Sequence, residues 1–105
     1  MKFTIDEFLA KLPLPADEKW KRGVWDVETF VKNGITLVFF APRGTDYQTF
    51  HEKDEFYFVA RGQGELVTGD LRRDCSPGDV LFVEAFKEHH FENFTDDFAT
   101  WPVFF

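Results

Sequence analysis

The three histidines of this chain fall in two short stretches whose residue types could bind a metal ion. His51 stands in the first stretch, which runs from Thr49 to Glu55, and His89 and His90 open the second, which ends at Asn93. Each histidine is followed at short range by a carboxylate or an amide. Imidazole and carboxylate together are a common ligand set for a mononuclear divalent metal. The spacing therefore predicts a metal site assembled from the two stretches.

The first stretch must turn if His51 and Glu55 are to bind one metal. The two residues have the same parity, so a strand would point both side chains to one side but hold them about 13 Å apart. Metal ligands stand only about 2.0–2.2 Å from the ion. We therefore expect a turn at the polar residues 52–54, with His51 ending one strand and Glu55 beginning the next. The alternative is an ordinary charged turn beside a surface histidine.

Composition narrows the class of protein. The chain has 105 residues, 44% hydrophobic content and 15 phenylalanines, which predict one packed globular domain. No apolar run approaches the roughly 20 residues that span a bilayer, and the N-terminal residues predict no signal peptide. Cys75 is the only cysteine, so we expect no intrachain disulfide and a cytoplasmic location. The net charge of −7 argues against nucleic acid and anionic membrane as partners.

The first residues predict one short amphipathic helix. Thr4 and Glu7 have the spacing of a capping box. Four apolar residues follow with helical period: Ile5, Phe8, Leu9 and Leu12. Pro13 ends the pattern. We expect this helix to dock on its own domain, so that residues 1–23 form a helix and arm and residues 24–105 form the main body.

From residue 24 onward the pattern changes to short β-strands. Asn33-Gly34 is typical of a two-residue hairpin turn, Pro77-Gly78 suits a type II turn, and Arg72-Arg73 indicates a solvated turn or a strand edge. Turn signals recur about every 8 to 12 residues between apolar and aromatic segments. These segments are 24–31, 35–41, 56–60, 65–68, 80–83, 89–94 and 98–105. The pattern predicts an all-β sandwich or barrel.

The first histidine stretch resembles the first motif of the cupin superfamily, which is written G-x5-H-x-H-x3-4-E-x6-G. His51, Glu55 and Gly62 fall on its second histidine, its glutamate and its last glycine. Two positions depart from the motif. Thr49 replaces the first histidine, and the glycine ahead of it, Gly44, comes one residue late.

The second stretch resembles the second cupin motif, G-x5-P-x-G-x2-H-x3-N. Gly78, His89 and Asn93 fall on its first glycine, its histidine and its asparagine. Glu84 replaces the proline, and Phe86 replaces the second glycine. The resemblance covers roughly residues 35–105.

This resemblance implies a double-stranded antiparallel β-barrel of the cupin or jelly-roll type, with a metal near the barrel axis. The ligands would be His51, Glu55 and His89, and Thr49 could at most hold a metal-bound water. Two histidines and one carboxylate match the facial triad of non-haem Fe(II) oxygenases. Fe(II) is therefore the favoured metal, with Mn, Zn or Ni as alternatives. The missing histidine could instead mean a weakened or vacant site in a domain that only binds a ligand.

The motif spacing selects His89 rather than His90 as the ligand. Strand alternation agrees, because His89, Phe91 and Asn93 would share one face while His90 lies on the other. By the same argument Tyr57 follows Glu55 inward. The expected contacts to a small organic ligand are Thr49, Tyr57, Phe91 and Asn93, with Arg43 and Tyr47 holding a substrate carboxylate or hydroxyl.

The leading functional prediction is a mononuclear metal-dependent enzyme that acts on a small organic molecule, with dioxygenase chemistry as the best subclass. Isomerase or lyase chemistry on a metal-polarised carbonyl needs the same ligands. The alternative is a non-catalytic binding or sensor domain for a sugar or small acid. We also expect a homodimer built on sheet faces, because the strands carry aromatic residues on both faces. Phe30, Phe56 and Phe58 are candidates for its interface.

Overall fold

The computed structural model describes residues 1–105 as one short helix and two antiparallel sheets. The helix is α1 (Ile5–Leu9). The strands are β1 (Asp26–Lys32), β2 (Ile35–Phe40), β3 (Glu55–Arg61), β4 (Gly64–Thr68), β5 (Leu71–Cys75), β6 (Val80–Val83), β7 (His90–Glu92) and β8 (Ala99–Phe104). One sheet has the order β1-β2-β8-β3-β6, and the other has the order β5-β4-β7. The predicted all-β class and N-terminal helix are confirmed.

The first hairpin is set by its turn chemistry. Lys32 pairs with Ile35, so Asn33 and Gly34 are the two loop residues. Both have positive φ, at 52° and 78°, as a type I′ turn requires. This turn matches the right-handed twist of the flanking strands and fixes the register of β1 against β2.

The main core lies between the two sheets and follows the period of the strands. On β3, Glu55, Tyr57 and Val59 are buried, whereas Phe56 is half-buried and Phe58 is exposed on the other face. The inward residues join a cluster of nine buried side chains: Trp20, Phe40, Tyr57, Val59, Leu66, Cys75, Val83, Phe91 and Phe98. The alternation carries Glu55 into this interior along with the apolar residues.

Helix α1 covers part of the outer face of the five-stranded sheet. The Thr4 hydroxyl accepts a hydrogen bond from the backbone N–H of Glu7 at 3.2 Å, as an N-cap does. Phe8 packs against Phe39 and Trp101. The helix ends at Leu9 rather than continuing through Leu12, although Leu12 still packs against the same cluster.

The helix leaves the β3–β6 part of this outer face uncovered. Phe56 stacks on Phe105 with 5.4 Å between ring centroids and contacts Phe58 and Phe82. We call these four residues the aromatic patch; Phe58 is 41% and Phe82 53% exposed. Phe30, by contrast, contacts Phe3 of the N-terminal segment. The homodimer stays a prediction, with the aromatic patch as its candidate surface.

Strand β5 contains Arg72-Arg73, so this pair lies on a strand edge and not in a turn. It is an edge strand that pairs only with β4, and the side chains of its residues 71–74 are exposed. Gly69, with φ of 60°, and Asp70 form the hairpin turn before it. No helix of the protein has the length and apolar character needed to cross a membrane.

Candidate metal site

Three side chains named by the sequence converge at one end of the space between the sheets. His51 precedes the turn before β3, Glu55 is the first residue of β3, and His89 immediately precedes β7. Their candidate ligand atoms all lie within 4.8 Å of one another. Glu55 Oε1 lies 3.2 Å from His89 Nε2 and 3.9 Å from His51 Nε2. We call these three residues the ligand trio.

The predicted turn at residues 52–54 makes this convergence possible. Asp54 pins the turn, because its carboxylate accepts a hydrogen bond from Ala85 N–H at 2.8 Å and its carbonyl accepts one from Phe105 N–H. Glu55 then begins β3, as expected. His51, however, does not end a strand, since residues 41–54 form an irregular segment.

Backbone hydrogen bonds hold this irregular segment against the chain that leads into β7. The carbonyl of Thr49 accepts from His89 N–H, and the carbonyl of His51 accepts from Phe86 N–H, each at 2.7 Å. The first bond ties the two histidine stretches together at the site. These main-chain contacts set the position of His89 relative to His51.

Glu55 is a buried acid without a hydrogen-bond partner for Oε1. The residue is 1% exposed. Burial raises the pKa of Glu55, and the nearby His89 ring and Tyr57 hydroxyl offset part of that rise. An unpartnered polar atom in a protein interior costs about 1–3 kcal/mol. A carboxylate is retained at such a position where something else, such as a cation, completes its environment.

The orientation of His89 explains why Glu55 Oε1 lacks a partner. His89 Nδ1 lies 2.9 Å from the carbonyl oxygen of Lys87. Only a protonated Nδ1 can donate there, so the neutral ring presents a lone pair at Nε2 toward Glu55. Burial tends to lower the pKa of His89, but Glu55 and the Lys87 carbonyl outweigh it and raise that pKa. A cation would satisfy both Glu55 Oε1 and His89 Nε2, and it could be a second proton on His89 or a metal ion.

His51 is the more accessible of the two imidazoles, with a side chain that is 34% exposed. Partial burial lowers the pKa of His51 to about 4, with a smaller contribution from the charge of His89. At 3.9 Å from Glu55 it is therefore a neutral neighbour of the carboxylate and not its ion-pair partner. A neutral imidazole is the form that binds metals, so no proton competes for His51 at neutral pH.

These observations together test whether a divalent metal fits the trio. Two imidazole nitrogens and one carboxylate oxygen face one another, Glu55 Oε1 lacks a donor, and His89 is held by the Lys87 carbonyl as metal-binding histidines are. The donor set is one that divalent transition metals accept. The trio could hold such an ion.

Tyr57 adjoins the trio as the alternation predicts. It is fully buried, and its hydroxyl lies 3.1 Å from His89 Nε2 and 3.0 Å from Gln48 Oε1. Burial raises the pKa of Tyr57 well above its ordinary value, so the hydroxyl keeps its proton. Phe91 packs edge-on against this ring at 4.9 Å and is 1% exposed. Phe91 therefore supports Tyr57 from within the core.

Asn93 does not follow His89 and Phe91 onto the inner face. Strand β7 ends at Glu92, and Asn93 adopts a left-handed backbone with φ of 51°, which breaks the expected alternation. Its exposed side chain donates a hydrogen bond to Glu65 on the surface of the three-stranded sheet. The structure does not bring Asn93 to the trio.

Thr49, Arg43 and Tyr47 also lie outside the trio. Thr49 is exposed and makes no side-chain hydrogen bond, although it lines a cavity of about 250 Å³ beside His89. The Arg43 guanidinium donates to three backbone carbonyls, including that of Phe98 at 2.9 Å. Tyr47 packs edge-on against Trp20. Their contacts with a substrate stay predictions.

Sequence reasoning missed two buried polar residues beside the trio, Asp46 and Gln48. Gln48 Oε1 lies 3.1 Å from His51 Nε2, and Asp46 binds the Gln48 side chain from behind. Both belong to the irregular segment, where strand parity has no meaning. Their spacing of two residues, just ahead of His51, was the one available signal.

Two glycine positions of the motifs show what the backbone requires. Gly62 has φ of 75°, and a Cβ there would lie 2.8 Å from Phe98 Cα, so only glycine fits. Phe86 stands where the second motif has glycine and keeps the left-handed backbone, with φ of 65°. That conformation costs a non-glycine residue about 1–2 kcal/mol. Phe86 N–H nevertheless reaches the His51 carbonyl.

Comparison with known proteins identifies the family. Residues 36–105 match the cupin domain family, so the chain belongs to it. No curated protein matches the sequence.

Solved structures with the same fold share little sequence with this chain. A cupin 2 conserved barrel domain protein from Salinispora arenicola is 22% identical, with a TM-score of 0.66 over 76% of this chain and 73% of that one. KdgF from Halomonas sp. is 20% identical, with a TM-score of 0.66 over 75% and 74%. An RmlC-like cupin from Methanocaldococcus jannaschii with a double-stranded β-helix fold is 15% identical, with a TM-score of 0.60 over 75% and 77%. These similarities confirm the predicted cupin barrel.

Proposed function

We propose that the protein is a mononuclear metal-dependent cupin that acts on a small organic molecule. The observation that carries this proposal is the convergence of His51, Glu55 and His89, in which the buried Glu55 Oε1 lies 3.2 Å from His89 Nε2 and, with His89 neutral, faces its lone pair. While His89 is neutral, such a pair of acceptors is poorly matched unless a cation lies between them. A divalent cation would satisfy both acceptors and would also bind His51.

The favoured metal is Fe(II), and the favoured reaction class is a dioxygenation. Two imidazoles and one carboxylate are the facial triad of non-haem iron oxygenases. When bound, such a metal would bring O₂ and substrate together and leave the protein to orient them. Mn, Zn or Ni would fit the same donors and would favour polarisation of a substrate carbonyl instead.

The substrate would enter beside His51. A cavity of about 320 Å³ opens there, lined by Glu28, Thr36, Val38, His51, Glu52, Lys53 and Phe104. Its size suits a small organic molecule. The Lys53 ammonium and the Thr36 hydroxyl can donate to an oxygen-bearing substrate, and Phe104 packs edge-on against the His51 ring at 4.8 Å. His51 is the most accessible member of the trio on this side, whereas His89 and Gln48 line the separate cavity of about 250 Å³ beside Thr49.

Tyr57 would serve the site as a hydrogen-bond donor. Its raised pKa excludes a role as a general base at neutral pH. Once His89 Nε2 binds a metal, its lone pair is no longer free. The Tyr57 hydroxyl would then donate to Gln48 Oε1, which lies 3.0 Å from the hydroxyl oxygen. Tyr57 would thus link the metal ligands to the buried polar residues Gln48 and Asp46.

The decisive experiment is elemental analysis of the purified protein together with His51→Ala, Glu55→Ala and His89→Ala. We expect close to one divalent metal per chain in the parent and loss of the metal in each variant. The Fe(II)-loaded parent should then consume O₂ with a small-molecule substrate. A parent that stays metal-free when offered Fe(II), yet binds a sugar or small acid, would replace this proposal with the non-catalytic sensor.

A further inference from the structure

Gln48 occupies the place at the trio that Thr49 was expected to fill. Its side chain is nine-tenths buried. The amide oxygen lies 3.1 Å from His51 Nε2 and 3.0 Å from the Tyr57 hydroxyl. Thr49, one residue later, is exposed. In the irregular segment before β3 the chain therefore directs Gln48 toward the trio.

Asp46 fixes which end of the Gln48 amide faces the trio. Its carboxylate accepts hydrogen bonds from Gln48 Nε2 at 2.6 Å and from Gln48 N–H at 3.0 Å. It also accepts one from Phe91 N–H at 2.8 Å, which anchors the carboxylate to β7. A flipped amide would place its oxygen against the carboxylate, so the hydrogen-bond network assigns the oxygen to the trio side.

The resulting cluster contains more acceptors than protons. With Glu55 ionised and His89 neutral, Gln48 Oε1, Glu55 Oε1 and His89 Nε2 all accept, and Tyr57 supplies one proton to be shared among them. His51 can add one more only by donating from Nε2 to Gln48, which would withdraw it from the trio. A cation among these atoms would satisfy all of them at once.

The distances agree with a shared ion. Two ligands about 2.1 Å from one metal lie about 3.0 Å apart when their bonds meet at right angles and about 3.4 Å apart at the tetrahedral angle. Gln48 Oε1 and His51 Nε2 are separated by 3.1 Å, and Glu55 Oε1 and His89 Nε2 by 3.2 Å. Gln48 Oε1 thus lies as far from His51 Nε2 as two ligands of one metal would lie from each other.

We propose that the side-chain oxygen of Gln48 is a fourth protein ligand to the metal, standing in for the histidine that the first cupin motif would have at Thr49. This inference rests on the proposed metal-dependent function. It also bears on metal choice, because an amide oxygen is a harder donor than an imidazole and favours Fe(II) or Mn(II) over Zn(II) or Cu(II). Asp46 is then a positioning residue that acts through Gln48.

The test uses the full chain stripped of metal with a chelator and titrated with Co²⁺ alone. Calorimetry gives the affinity, and the visible absorption of Co²⁺ reports its ligands. We expect Gln48→Ala and the similarly sized Gln48→Met to weaken Co²⁺ binding by about tenfold or more and to change the spectrum. Gln48→Glu restores an oxygen ligand and should bind at least as tightly as the parent. Thr49→Ala is the matched control and should change neither measurement.

Two outcomes separate this inference from the proposed function. If the parent binds Co²⁺ no better than Glu55→Ala, the metal site itself is wrong. If the parent binds tightly but Gln48→Met and Gln48→Ala, folded by circular dichroism, keep its affinity and spectrum, only the Gln48 assignment is overturned. Histidine at either position gives a second check, since Gln48→His should tighten binding, whereas tighter binding by Thr49→His alone would return the fourth ligand to Thr49.

Discussion

Replacing Glu55 with glutamine should move stability and metal affinity in opposite directions. At pH 9 the parent buries a carboxylate whose Oε1 lacks a donor and lies 3.2 Å from the lone pair of His89 Nε2. A glutamine amide of the same shape can donate to that lone pair. The metal-free Glu55→Gln variant should therefore be more stable by about 1–3 kcal/mol, the cost of one buried unsatisfied group. In a domain of this size each kcal/mol raises Tm by roughly 4 °C.

The stability that Glu55→Gln gains over the parent should shrink as pH falls. The folded-state pKa of His89 is raised, so protonation of His89 stabilises the parent at low pH, and that stabilisation is lost as pH rises through the raised pKa. Protonated His89 pairs with Glu55 but not with a glutamine. Urea unfolding of the chelator-treated proteins between pH 6 and 9 measures this difference.

Metal titration of the same variant completes the test. Loss of the only charged ligand should weaken Co²⁺ binding by at least about tenfold. Glu52→Gln removes an exposed carboxylate three residues earlier and should leave both the stability and the affinity unchanged. The reasoning fails if Glu55→Gln unfolds more easily than the parent at pH 9, or if it binds Co²⁺ as tightly.

Four other predictions concern metal binding, pH dependence, stability and oligomeric state. His89→Ala should remove the metal found by elemental analysis while His90→Ala keeps most of it; the reverse would put the predicted register off by one residue. The pKa of His51 falls from 6.5 in a free chain to about 4 in the fold, so the unfolded chain takes up the proton first. The metal-free protein should therefore lose stability as pH drops through that window, and identical urea curves for the parent and His51→Gln would contradict this. Phe86→Gly relieves a left-handed backbone at φ of 65° and should add about 1 kcal/mol to the free energy of unfolding; a loss would mean that the contact of Phe86 with the Phe50 ring, whose centroid lies 6.3 Å away, matters more. Light scattering should give the mass of two chains for the parent and of one chain for Phe58→Asp in the aromatic patch, and a parent mass near one chain at micromolar concentration would exclude the dimer.

Much of the fold is predictable because its signals are local. Alternating burial on β3 and the Asn33-Gly34 turn depend on neighbouring residues only, and both appear as expected. Strand β5 gave only an ambiguous signal, since an edge strand with exposed side chains at residues 71–74 shows no apolar alternation. Its pairing depends on the hairpin turn at Gly69 and on β4.

The candidate site likewise contains residues that local sequence signals predict and residues that they do not. The spacing of His51 and Glu55 around a turn, and the motif position of His89, predict the convergence of these three side chains, and their role as metal ligands stays a prediction. Gln48 could not be found this way, because its inward direction comes from its hydrogen bonds to Asp46 and not from strand alternation. Asn93 was misplaced for the opposite reason: alternation was carried one residue past the end of its strand.

The ligand trio also joins the two sheets. Glu55 begins β3 in the five-stranded sheet, and His89 leads into β7 in the three-stranded sheet. An ion bound by both would act as a removable cross-link at one end of the sandwich, closing a long loop of chain much as a disulfide does. At a metal concentration a hundred times Kd it would add about 2.7 kcal/mol to the free energy of unfolding. Metal supply would then govern how long the folded protein survives proteolysis, and not only whether it can react.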